Sequence, residues 1–269
     1  MNPNLAFAFG IGLLIGSFLN VVIHRLPRML MSDAQEAEAI DRYNLCWPAS
    51  HCTHCNTPLK YWHNIPLISY VFLKGRCSFC KHPISALYPA IELLTAFIWL
   101  LSAWHWGFTL TGLCWAFFTT TLLAASVIDW QTTFLPDALT QSLVWMGLSA
   151  SAMQWISLTP THAILGAVAG YASLWIIATT FERFTGKQGM GAGDFKLLAA
   201  LGAWLGPLSL IPLVLMASLS GALVGLWLKF SGSLREDGYI PFGPFLALSG
   251  MLIAAFGIEP FAAWLGQPF

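Results

Sequence analysis

Long apolar runs separated by short polar connections make up most of this chain. A helix that crosses a bilayer takes about 20 mostly apolar residues, within roughly 17–25. That rule selects eight segments: Leu5–Ile23, Pro89–Trp106, Thr109–Ile128, Leu139–Ser157, His162–Phe181, Phe195–Leu205, Leu208–Phe230 and Phe242–Trp264. The sixth is short, and Gly206-Pro207 separates it from the seventh. One sizeable polar stretch interrupts the pattern, between the first and second segments. The expected fold is therefore an all-α polytopic membrane protein of about eight transmembrane helices. Its parts are a first transmembrane helix (1–23), a small polar domain (24–88) and a membrane domain of about seven helices (89–269).

Composition agrees with this class. Of 269 residues, 57% are hydrophobic and 9% charged, against roughly 25% charged in an ordinary soluble domain. Disorder is excluded by the 19 Phe and 13 Trp, since disordered chains are poor in large apolar residues. The net charge is zero, so the chain lacks the basic footprint of a nucleic-acid binder. The first apolar run has no basic region ahead of it and no small-residue cleavage site, which reads as a retained helix and not a removable signal.

The placement of the cations orients the thread. With eight alternating crossings, all twelve Lys and Arg fall on one side: after span 1, between spans 5 and 6 with the start of span 6, and between spans 7 and 8. Short loops rich in Lys and Arg stay cytoplasmic. Both termini are therefore expected on the periplasmic side of a bacterial inner membrane, with the 24–88 segment inside.

That segment holds five of the six cysteines. Cys52-Thr53-His54-Cys55 and Cys77-Ser78-Phe79-Cys80 form two CxxC pairs, the spacing of a zinc ribbon. Each pair turns tightly enough to present two thiolates, and together they complete a tetrahedral site. A reducing cytoplasm disfavours the disulfide alternative, and a domain of this size commonly needs a staple. A structural Zn²⁺ on Cys52, Cys55, Cys77 and Cys80 is the expectation. Cys46 and Cys114 are bystanders, and no role is assigned to His51, His54, His63 or His82.

Two acids stand apart from the other ten. Asp129 follows the apolar run 122–128, and Asp194 follows Gly189-Met190-Gly191-Ala192-Gly193. Ionisable groups at the edge of a span are costly and often functional. Between them the chain crosses twice, so both return to one face, where a carboxylate pair could activate water and protonate a leaving amide. Gly191 and Gly193 suit such a site by permitting positive φ or close approach. Plainer readings exist: Asp194 as the N-cap of span 6, Asp129 as an interfacial acid. Asp137 reads as the cap of span 4, and by spacing it rivals Asp129 as the partner of Asp194. Glu92 and Glu182 are weaker candidates, the latter beside Arg183.

At this point the chain resembles a bacterial type IV prepilin peptidase, of the intramembrane aspartic class that shares a GxGD motif with presenilin-like proteases. The resemblance rests on an ordered set of landmarks: residues 16–27 (Gly16 to Pro27), the two CxxC pairs, Asn64-Ile65-Pro66, Ile84-Ser85, Tyr88-Pro89 with Glu92, Ile128-Asp129, Leu135-Pro136-Asp137 and Gly191-Ala192-Gly193-Asp194. It implies that Asp129 and Asp194 are the catalytic pair. It implies as substrates the basic leaders of type IV prepilins or type II secretion pseudopilins, cut after glycine on the cytoplasmic side. It further implies N-methylation of the new terminus with S-adenosylmethionine as donor, an activity associated with the cysteine domain. Leu87 stands where the family often has Arg before Tyr-Pro, a departure that touches the methylation step more than proteolysis. From a different class, an ion-coupled transporter using the two aspartates is the alternative. Its weakness is that both acids lie toward one face and not at mid-membrane.

Overall fold

Helices dominate because the apolar runs leave no water to satisfy the backbone except within the segment itself. The computed structural model describes residues 3–31, 43–187, 189–233 and 239–258. Among these there is no strand, only two isolated bridges in the cysteine domain, His51 with Pro58 and Arg76 with Pro83. The helices are α1 (Pro3–Met31), α2 (Ile68–Phe72), α3 (Leu87–Trp106), α4 (Leu110–Thr132), α5 (Asp137–Ala152), α6 (Pro160–Thr185), α7 (Ala192–Leu205), α8 (Leu210–Phe230) and α9 (Gly243–Phe256), with short 3-10 turns at Tyr61–Asn64 and Pro207–Ser209.

Each of the eight expected spans corresponds to a helix, and the protein is a multi-pass membrane protein. Five helical stretches are long and apolar enough to cross by length and composition: Pro3–Met31, Leu87–Trp106, Leu110–Thr132, Pro160–Thr185 and Pro207–Phe230. The other three are short. α5 has 16 residues and α7 has 14, which at about 1.5 Å per residue is less than the hydrocarbon thickness. α7 stops where Gly206 turns to a φ of +82° ahead of Pro207. α9 is described to Phe256, and the expected continuation of its span through 259–264 lies outside the described residues. So do Asp33, Glu36, Glu38, Asp41, Glu236, Asp237 and Glu259.

The chain divides into two compact units, Met1–Ala116 and Phe117–Phe269. In the first, α1 packs on α3. Gly12 and Gly16 make this close: a Cβ on Gly12 would lie 2.6 Å from Ala96 Cα, and one on Gly16 2.7 Å from Glu92 Cα. Small residues at a helix interface let backbones approach where no hydrophobic force drives them together. α1 also runs on to Met31, past the expected end at Ile23. Arg25 keeps the polar extension ordered. It is buried, and its guanidinium donates to the carbonyls of Asn44 (3.0 Å) and Pro48 (2.7 Å) and lies over the Tyr43 ring.

Other landmark residues prove to be ties of the same kind. Asn20 Nδ2 donates to the Tyr88 carbonyl (3.1 Å). The Leu67 amide donates to Glu92 Oε2 (2.8 Å), with Leu67 held at a φ of +56°. Glu92 is thus an anchor for the loop after Asn64-Ile65-Pro66.

In the second unit α7 is the hub. It packs against α5, α6 and α9, and ten of its 14 residues are buried. Gly166 and Gly202 meet backbone to backbone, and a Cβ on Gly170 would lie 2.5 Å from the Leu198 carbonyl. Trp204, fully buried, donates to the Leu143 carbonyl (2.8 Å) and rests against Phe118.

Candidate active site and metal centre

Asp129 sits in the last turn of α4 and Asp194 in the first turn of α7. Both are buried, at 5% and 4% exposure. They are close enough for the charge of Asp129 to act on Asp194. Asp194 is not a cap: Gly191 is the N-cap residue, and Asp194 follows three positions later with its side chain buried.

Of the two glycines, Gly193 acts by close approach and Gly191 does not. Gly191 has a φ of −77°, which any residue adopts, and nothing lies within 4 Å of its would-be Cβ. Its freedom to take positive φ, expected from the sequence, is not used. Gly193 matters sterically, since a Cβ there would lie 2.7 Å from Leu135 Cβ. Leu135 is buried, and its other end reaches Gly243, whose would-be Cβ lies 3.0 Å from Leu135 Cδ1 and 2.5 Å from Asp129 Oδ2. One apolar side chain is therefore wedged between the glycine before Asp194 and the glycine beside Asp129.

Asp137 has a different role from the cap expected of it. Pro136 is the N-cap residue of α5, and Asp137 makes no capping bond. Its carboxylate instead receives Lys196 Nζ at 2.7 Å on both oxygens. The pair is partly exposed, with side-chain exposures of 54% for Asp137 and 30% for Lys196.

Residues that sequence reasoning did not single out complete the surroundings. Tyr239 lies ahead of α9; burial, followed by the charges of Asp194 and Asp129, raises its phenol above the usual range. Phe245 meets Trp130, the neighbour of Asp129, edge to face at 6.4 Å. The signal in the sequence was the dense Pro241-Phe242-Gly243-Pro244 stretch after a polar loop.

In the other unit the four expected thiols converge. The Sγ atoms of Cys52, Cys55, Cys77 and Cys80 all lie within 4.8 Å of one another. The two arms are near copies. In the first, Asn56 (φ +53°) donates to the Cys52 carbonyl and the Cys52 amide to Thr57. In the second, Lys81 (φ +61°) donates to the Cys77 carbonyl and the Cys77 amide to His82. The left-handed residue after each pair folds the chain back, so that both sulfurs face one point. Thr57, through its hydroxyl and its amide, lowers the pKa of the Cys55 thiol, whereas at Cys80 the His82 amide is outweighed by burial and the neighbouring thiols, which raise it. The cluster can hold a metal ion and fits zinc. His54 and His82 stack on each other at 4.2 Å, outside the cluster, and Cys46 and Cys114 are also apart from it.

Comparison with known proteins adds to this geometry. Residues 11–106 match the bacterial peptidase A24 N-terminal domain, and residues 116–226 match the type IV leader peptidase family. A prepilin leader peptidase/N-methyltransferase of Burkholderia pseudomallei (strain 1026b) is 45% identical over 280 residues, covering 97% of this chain and 88% of that protein. The chain belongs to the type IV leader peptidase family. Two further leader peptidase/N-methyltransferases agree: that of Pseudomonas aeruginosa is 43% identical, covering 92% of this chain and 88% of that protein. That of Aeromonas hydrophila is 45% identical, covering 94% and 90%. No solved structure matches this leader peptidase family member.

Proposed function

We propose that this chain is a membrane aspartic endopeptidase that removes the basic leader of type IV prepilins or type II secretion pseudopilins after glycine, and then N-methylates the new terminus. The observation that carries the reading is the buried pair Asp129 and Asp194, linked through Leu135, which abuts both Gly193 and Gly243, in a chain whose relatives bear that activity in their names. Two carboxylates at close range share one proton, because both cannot ionise cheaply in a desolvated site. The ionised member takes a proton from water as the water oxygen attacks the scissile carbonyl carbon. The protonated member gives its proton to the amide nitrogen as the C–N bond breaks. None of the relatives named supports the ion-coupled carrier reading.

The same reading assigns 1–23 to the first transmembrane helix, 24–88 to a cytoplasmic zinc domain and 89–269 to the peptidase domain. Periplasmic termini in the inner membrane accord with the one-sided placement of all twelve cations. Zn²⁺ on Cys52, Cys55, Cys77 and Cys80 is structural, because four thiolates leave no open position for substrate. S-adenosylmethionine, when bound, supplies an electrophilic methyl group to the freed amine. No residue is assigned to holding it.

The test is incubation of the purified protein with a leader-bearing pilin, with and without the donor, read by mass spectrometry. Asp129→Asn and Asp194→Asn should each abolish leader removal while inserting normally into membranes. Full cleavage by either variant overturns the assignment. Loss of methylation alone, with cleavage intact, would strike only the second activity.

A further inference from the structure

The cysteine domain exposes an aromatic and apolar face that the peptidase reading leaves unused. Tyr61 (82% exposed) and Trp62 open the 3-10 turn, and Ile65 follows it. On α2, packed beside that turn, Ile68, Val71 (71% exposed) and Phe72 (83% exposed) point outward at helical spacing. A domain that folded to face water on all sides would not keep these side chains out of its core. Exposed apolar patches of this kind mark contact with a partner or a membrane.

The charges around the face choose between the two. Lys60, Lys74, Arg76 and Lys81 are all exposed, and residues 43–88 contain no Asp or Glu at all. Lys60 Nζ lies over the Trp62 ring at 5.0 Å, an arrangement that holds the cation at the edge of the aromatic group. Aromatic side chains beside Lys and Arg are the composition of a membrane–water interface. A basic leader meets like charge here and is disfavoured. Tethering strengthens the point. The domain leaves one membrane helix, α1, and enters another, α3, so its surface is never far from the headgroups.

We infer that the face formed by Tyr61, Trp62, Ile65, Ile68, Val71 and Phe72 docks the cysteine domain onto the bilayer, where Lys60, Lys74, Arg76 and Lys81 engage anionic phospholipid headgroups. The inference rests on the chain being a multi-pass membrane protein and is independent of which residues cleave the leader. Docking of this kind holds a small soluble domain at a fixed height beside the helices it joins.

The experiment uses the full-length, zinc-loaded protein in nanodiscs of phosphatidylcholine alone or with a minority of phosphatidylglycerol. Backbone hydrogen exchange is followed across 61–73. Exchange there should slow by about fivefold or more in the anionic discs, because each cation near the surface contributes roughly a fivefold preference for anionic lipid. The double variant Val71→Asp, Phe72→Asp should lose the slowing while keeping its metal content, which reports that the domain is folded. Protection of α1 and α3 in both discs reports membrane insertion separately. Equal exchange in the two lipids, or slowing retained by the double variant, overturns the inference. Slowing that appears only when a leader-bearing pilin is added overturns it in favour of a protein partner.

Discussion

Gly243 lies against the carboxylate of Asp129, so that a Cβ at 243 would stand 2.5 Å from Asp129 Oδ2. No real methyl group can occupy that position without moving the acid. The same methyl would press Leu135 Cδ1 at 3.0 Å, and Leu135 in turn abuts Gly193. Displacement at 243 is therefore transmitted to both halves of the proposed pair.

Gly243→Ala is accordingly predicted to slow leader cleavage by on the order of 100-fold, the scale expected when a reacting group is misplaced by about 1 Å. The loss should fall on kcat, with substrate KM little changed, since the methyl moves an acid and removes no surface. Steady-state cleavage kinetics with a leader-bearing pilin check this. Wild-type kcat in a well-expressed Gly243→Ala protein would refute the seat.

Asp137 offers the opposite expectation. Its carboxylate is turned to Lys196 and half exposed, and an exposed ion pair is worth at most about 1 kcal/mol. Asp137→Asn should leave leader removal within about twofold and stability within that same margin. A loss of cleavage as complete as that of Asp129→Asn would mean that Asp137 is a reacting acid.

This contrast shows what the residue pattern could and could not carry. Asp129 and Asp194 were legible because a buried acid at the end of an apolar run is unusual, and the four cysteines because CxxC pairs have few other uses. The choice between Asp129 and Asp137 was not legible from spacing, since both precede the same two crossings. In the structure they differ in that Lys196, two residues after Asp194, takes up Asp137. Lys196 reads in the sequence only as one more cation marking a membrane face. Gly243 was marked only by the dense Pro241–Pro244 stretch at the start of the last span, and only packing reveals what its missing side chain makes room for. α1 continues past Ile23, the expected end of the first span, although Arg25 and Arg28 look like the water side of a span. The carbonyls of Asn44 and Pro48, remote in sequence, keep the helix going.

Arg25 should accordingly matter for the order of the cysteine domain. Hydrogen bonds to a charged group contribute about 1.5–3 kcal/mol each, and both of the bonds that Arg25 donates are part-buried. Arg25→Met is predicted to raise hydrogen exchange across 43–50 by at least about tenfold, the equivalent of one such bond. Exchange in α7 should not change. Unaltered exchange at 43–50 would show that the two carbonyl contacts do not hold the segment.

The metal prediction separates zinc as a staple from zinc as a reactant. Metal analysis of protein purified without chelator should give one zinc per chain, and Cys77→Ser, which removes the buried ligand of the four, should lower that occupancy sharply. Without metal the two arms lose the centre that joins them, because little else connects 51–58 to 76–83 besides the ring contact of His54 with His82. Folding energy in such domains is largely metal-binding energy. Chelation should therefore expose the amides of both arms to rapid exchange together, while the protection of α7 and its buried Asp194 persists. Purified protein that contains no metal, or chelated protein whose two arms stay protected, would rule out the structural site.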